Sequence, residues 1–239
     1  MAAALSLIAL ADDMTNHSAY SAIRAIARKL TNPTYLSATL YWLLRKLTGV
    51  QFHQVVAMDL STNTRNMAVA EHLEISILER VQDVDQLPAG IETQLDEQSG
   101  MSCRSLCERG ARLYLIHNGK DVACQLNIQT GEVVVDSPVP LRLRFHADHA
   151  FLNYLFTHNA YRGRGLAREL IQYACHDLSK HGKKRCFAHI RATNFASLSA
   201  FRRTGWSQCG KIITTTSGRF LAALGCAQSG MNVDRINHA

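Results

Sequence analysis

The chain has 239 residues, 47% of them hydrophobic, and a formal net charge of +7. A chain of this length and apolar content can bury a substantial core, so one domain with an extension is the expectation. No apolar run is long enough to cross a bilayer, which excludes a spanning helix, and the seven cysteines include no metal-ligand pairs at two-residue spacing.

The charge is uneven: residues 1–70 carry +3, residues 71–150 carry −6 and residues 151–239 carry +10. Residues 1–11 are apolar and end in Ala9-Leu10-Ala11, similar to a signal-peptidase site, but lack a basic lead segment and are short for an export signal. With the cysteines read as reduced thiols, a cytoplasmic location is expected. Helices are predicted at 16–31 and 34–48, broken at Asn32-Pro33 because proline disfavours helix in the residue before it. The second helix gathers Tyr35, Leu36, Leu40, Leu43, Leu44 and Leu47 on a broad face. That face suits packing on the domain or a dimer contact better than membrane contact through Tyr41 and Trp42. Residues 1–70 are therefore read as an N-terminal helical extension, 71–227 as the main domain and 228–239 as a tail.

Alternation of apolar and polar residues predicts strands at 50–60 and 73–80, the second opening the main domain. Residues 86–108 are acidic and predicted helical after Pro88; the acids suit attraction of a cationic amine and a plain solvated face equally. Cys103 and Cys107 would share a face there, as packing residues. Residues 112–116 and 122–128 read as a β-hairpin through Asn118-Gly119, residue types that tolerate positive φ. A turn and irregular strand follow at 131–140, then an apolar strand at 149–156. Beyond it, apolar residues at 166, 170, 171, 174 and 178 mark an amphipathic helix. A strand at 185–190, a second helix and closing strands within 211–224 complete an α/β (α+β) protein with a mixed sheet, and the end from 228 reads as frayed.

Between the strand and the amphipathic helix stands Tyr161-Arg162-Gly163-Arg164-Gly165-Leu166-Ala167. A tight glycine turn there gathers backbone N–H groups at the positive end of the helix, a geometry that binds phosphate oxygens. Arg162 and Arg164 add full charges. No Lys-Ser or Lys-Thr follows the second glycine, so a P-loop is excluded. The three-glycine dinucleotide pattern and its downstream ribose-binding acid are absent as well. A positive field here would steer an anionic cofactor; a basic face for nucleic acid is the competing reading, but no nucleic-acid motif accompanies it.

Arg162-x-x-Gly165-x-Ala167 resembles the first signature of the GNAT (GCN5-related N-acetyltransferase) superfamily, and Asn194, Ser197, Phe201, Gly205 and Trp206 fill every position of its second. The resemblance implies a mostly antiparallel twisted sheet flanked by helices. It also implies acyl transfer from acetyl-CoA, or another acyl-CoA, to a primary amine, without a metal. By matched position, the N–H groups of Gly163, Gly165, Leu166 and Ala167 would hold the pyrophosphate, with Arg162 and Arg164 assisting. The strand end at Leu155, Phe156 and Thr157 would line the pantetheine gap with Asn194, Ser197 and Phe201.

The proton chemistry is left open. Many relatives carry a tyrosine acid where Phe201 stands, and histone-modifying members a glutamate where Phe151 stands. His149 and Asn153 share the parity of Phe151 on the strand, so either would face the same side. The near-neutral pKa of histidine makes His149 the candidate base, although a histidine at a strand start is more often structural. Tyr154 could reach the cleft only through a bulge. Aminolysis of a thioester can also run on positioning alone, with water taking the proton. The expected acceptor is a small-molecule amine or an amino sugar. Protein or peptide N-acetylation and a non-catalytic acyl-CoA-binding module are the alternatives, and no nucleic-acid partner is expected.

Overall fold

The computed structural model describes residues 41, 43, 45–62, 73–136 and 139–236. The apolar N-terminal segment and the helix predicted at 16–31 lie outside these residues. Of the helix predicted at 34–48, residues 41, 43 and 45–48 are described, and they are helical. No helix among the described residues is long and apolar enough to cross a membrane. The chain divides into two compact units, Met1–Gln51 with Thr215–Ser217, and Phe52–Thr214 with Gly218–Ala239. In the first, Gly49 N–H donates to Arg45 O and Thr216 N–H to Gly49 O.

The second unit is a mixed α/β structure whose main sheet has eight strands. In chain order these are β1 (Val50–Asp59), β2 (Glu74–Leu78), β3 (Arg112–His117), β4 (Val122–Thr130), β7 (His149–Thr157), β8 (Arg185–Arg191), β9 (Ser207–Thr215) and β10 (Phe220–Leu224). Their order across the sheet is β10-β9-β1-β8-β7-β4-β3-β2. Only β7 and β8 are shown parallel; β1–β8, β2–β3, β3–β4, β4–β7 and β9–β10 run antiparallel. A second sheet, in the order β11-β6-β5, joins β5 (Glu132–Val135), β6 (Leu141–Phe145) and β11 (Met231–Arg235).

The predicted hairpin is β3–β4. Its turn uses one positive φ, at Gly119 (85°), while Asn118 accepts from Lys120 and Asp121 N–H groups through its side chain. After a short helix α1 (Val81–Asp85), the acidic stretch forms two short helices, α2 (Ile91–Ser99) and α3 (Cys103–Glu108), because Gly90 and Gly100 adopt left-handed φ at the ends of α2. The amphipathic helix is α4 (Leu166–Lys180), and all five of its predicted apolar positions are buried. The second motif helix is α5 (Phe195–Arg203).

Two outcomes differ from the sequence reading. Residues 231–235, read as frayed, form β11, because Met231 is fully buried and Asp234 pairs with Arg144 of β6 at 2.6 Å. The strand at 50–59, read as preceding the main domain, lies between β8 and β9 inside the sheet.

Alternation along the strands divides the core. One face carries Val56, Tyr114, Ile116, Leu126, Ile128, Leu152 and Ala188 against α4 and α5. The opposite face has two apolar clusters. Val55, Ala57, Phe151 and Phe187 meet the three-stranded sheet, and Leu113, Leu115 and Val122 meet α1–α3. Cys103 and Cys107 are both buried in that last cluster, and burial pushes the Cys103 thiol up to about 12.

Candidate active site

The site begins where a parallel pair of strands comes apart. β7 and β8 register from His149 with Arg185 to Leu152 with Ala188; both then continue, to Thr157 and Arg191, without pairing. Just beyond that point β7 bulges. Asn127 of β4 opposes Tyr154 and Ile128 opposes Leu152, so Asn153 has no cross-strand partner. An extra residue of this kind bends a strand and re-aims the side chains after it. The unpaired inner edges leave a cleft of about 520 Å³, lined by residues 152–155, 188–191, 193, 194, 197, 201 and His53.

At the end of β7 the chain turns through Asn159–Tyr161 into the glycine turn. Gly163 and Gly165 have φ of 79° and 84°, a region that side chains with a Cβ rarely enter. Gly165 is the residue that caps α4. The backbone N–H groups of residues 163–167 find no acceptor among the described residues, whereas Arg168 and Glu169 N–H both donate to Gly165 O. Five successive free donors at a helix N-terminus fit a pyrophosphate. Both guanidinium groups beside the turn are held by backbone carbonyls and aromatic rings. Arg162 Nε donates to Thr157 O at 3.1 Å and lies over Phe156; Arg164 donates to Ala160 O at 3.2 Å and lies over Tyr161.

A cavity of about 720 Å³ fronts this turn, lined by residues 155–157, 161–168, 194 and the outer face of α5. Eleven of the twelve residues expected to hold the cofactor are in it, and the twelfth, Phe201, lines the cleft. The two cavities meet at Leu155, Asn194 and Ser197. Together they form a groove with anion donors at one end and bare strand edges at the other, which fits an elongated acyl-CoA. Asn194 caps α5 by accepting from Ser197 N–H at 3.2 Å, which leaves its amide nitrogen for a ligand. Phe201 is buried edge-on against Trp206, with ring centroids 4.8 Å apart, so an apolar ring stands where many relatives carry a phenol.

Residues 125–206 match the family model described as Acetyltransferase (GNAT) family, a span that includes the bulge, the turn and both motif helices. The matched span resembles a GNAT domain. Comparison with curated proteins finds no match. Among solved structures the chain is similar to a Drosophila protein at 14% identity, covering 69% of this chain and 50% of that one, with a TM-score of 0.44. It is similar to a GCN5-related N-acetyltransferase from Sphaerobacter thermophilus at 14% identity, covering 72% and 54%, with a TM-score of 0.46. It is also similar to an aminoglycoside acetyltransferase from an uncultured soil metagenomic sample at 14% identity, covering 56% and 88%, with a TM-score of 0.41. The match spans about half the length of the first two of these relatives.

Of the three residues read as catalytic, two reach the cleft. Asn153 is the bulged residue, and Tyr154 follows it. The Tyr154 hydroxyl donates to Gln98 O of α2, and burial raises its pKa, so it stays protonated. His149 is elsewhere. It sits at the level of Arg185, below the point of parting, with its ring edge-on to Phe187 at 5.5 Å and close to Gly230. Burial lowers its pKa, and neighbouring Asp148 opposes that shift.

Sequence reasoning missed the opposite wall. His53 lines the cleft from β1, and His189 and Arg191 line it from β8. The parity of Phe187 would have placed His189 and Arg191 on one face, but nothing local puts residue 53 beside residue 191. Arg168 and Arg203, which line the turn cavity, also lie outside the motif positions.

Proposed function

We propose that the chain is an acyl-CoA-dependent N-acyltransferase, with acetyl-CoA as donor and a primary amine of a small molecule or amino sugar as acceptor. The observation that carries this reading is the groove that runs from five unpaired N–H donors at residues 163–167 to the parted edges of β7 and β8. Bound acetyl-CoA supplies a thioester. The amine nitrogen forms a bond to its carbonyl carbon, the carbon–sulfur bond breaks, and the amine proton leaves through water to the CoA thiolate.

The protein's part is positioning. The turn fixes the cofactor's charged end, and the bulge at Asn153 opens the strand edge beside the thioester. With Phe201 apolar and Tyr154 committed to Gln98, neither phenol position supplies an obvious acid. We assign no proton step to His149, which lies outside the cleft. The absence of a hydroxyl at 201 also favours a second reading, a non-catalytic acyl-CoA-binding module. Seven free cysteines, six of them buried, support a cytoplasmic placement.

The two readings separate by experiment. Acetyl-CoA raises the melting temperature in both, and only the enzyme releases free CoA with an amine panel. Gly165→Ala tests the donor site. A Cβ at φ 84° costs about 1–2 kcal/mol and pulls the turn's N–H groups out of line, so acetyl-CoA affinity falls at least tenfold by calorimetry. Unchanged affinity would remove the cofactor assignment.

A further inference from the structure

The face of the sheet turned away from α4 and α5 is apolar at both ends and polar between them. At the cleft, this seam consists of His53, His189 and Arg191 on one side and Asn153 and Tyr154 on the other. His53 and Arg191 are cross-strand partners, and the His53 ring meets that of His189 edge-on at 5.8 Å. His53 is only 2% exposed, yet neither ring nitrogen has a hydrogen-bond partner among the described residues. Buried polar groups are almost always paired, and one left unpaired beside a cavity points to a ligand that supplies the partner. Arg191 is exposed at the rim, with no ion pair or side-chain hydrogen bond to any described residue.

No carboxylate lines the cleft among the described residues; its one fixed charge is Arg191. Of the acids on the neighbouring helices, Glu97 and Glu108 are exposed and line no part of the cleft, and three others are engaged elsewhere. Arg104 holds Glu92 at 2.6 Å and Asp85 at 2.7 Å, and Asp96 accepts from Cys103 N–H. Arg191 is also absent from the lining of the turn cavity, so the cofactor's phosphates do not account for it.

Resting on the acyltransferase reading, we propose that the acceptor is an amine that also carries an acidic group, carboxylate or phosphate, which Arg191 binds while His53 and His189 form the polar floor beneath. A guanidinium pairs with either acid through two parallel hydrogen bonds. Its charge also disfavours the protonated amine, and only the neutral amine can attack. A polycationic acceptor would meet a like charge with no carboxylate to offset it.

The test uses the full-length protein, acetyl-CoA and matched amines, with CoA release as the readout. Glucosamine 6-phosphate is set against glucosamine, and glutamate against glutamine, with spermidine as the cationic control. At least one acidic member should exceed its neutral partner and spermidine tenfold or more in kcat/KM. Arg191→Ala should erase that preference through KM, and Arg191→Lys should keep part of it, while acetyl-CoA affinity stays within twofold in both. The same pairs added to CoA-loaded protein, read by thermal shift, give a binding measure independent of turnover. Whichever acid is preferred distinguishes phosphate from carboxylate. Failure to bind acetyl-CoA would overturn the underlying reading. Acetyl-CoA binding with no preference for an acidic amine, in turnover or in thermal shift, would overturn this proposal alone.

Discussion

At the scale of single residues, His53 ties the site to the protein's behaviour in acid. Burial first, then His189 and Arg191, hold its pKa down to about 3 from the ordinary 6.5. Its folded value is depressed, so between pH 6.5 and about 3 the unfolded chain binds the extra proton. Stability therefore rises with pH across that window and is lost as pH falls through it. His53→Leu should remove this contribution. Urea melts at pH 5, 6 and 7 should show a shallower acid limb, with a gain on the order of 2 kcal/mol over the parent at pH 5. An acid limb of unchanged slope would mean that another group carries it. A substitution that stabilises the fold while weakening the acceptor site is the expected signature of a polar group kept for a ligand.

Among the elements, the glycine turn and the β7 bulge divide the work between charge and shape. The turn's N–H groups belong to the backbone and persist through side-chain changes, whereas Arg162 and Arg164 are separable from them. Replacing both arginines with alanine should weaken acetyl-CoA by about tenfold per lost charge-assisted bond, with little change in melting temperature. Calorimetry at two salt concentrations checks this, since the salt dependence should shrink along with the affinity. The turn and the helix behind it were legible in sequence because their signals are local. Two glycines, two arginines and an apolar spacing read directly as a turn and a helix, whereas the capping of α5 by Asn194 was not read from the sequence. The bulge was not legible. Asn153 looks like any alternating residue until the register of β4 is known, and so Tyr154 could be named only conditionally. His149 shares parity with the cleft residues, but parity says nothing of distance along the strand.

On the scale of the whole molecule, what escaped the sequence was pairing between distant segments. β11 is too short and polar to be recognised alone; it becomes a strand because β6 offers it a ladder and the apolar cluster takes up Met231. A chain ending at residue 227 should therefore be destabilised by about 2–5 kcal/mol, the usual range for emptying a buried methionine site. Comparing melts of the shortened and full chains checks this, and equal stability would make the last strand dispensable. The wall formed by β1 and β8 escaped for the same reason. That pairing also sets an order in time. His53 emerges from the ribosome long before Arg191, and β1 has no neighbour in its own vicinity: β8 and β9 both come late in the chain. The sheet can close only after β8 and β9 have been made, because distant strands must meet before their contacts repay the loop between them. Until then Val55, Val56 and Ala57 present an apolar strand with two open edges, the kind of segment that nascent-chain chaperones cover.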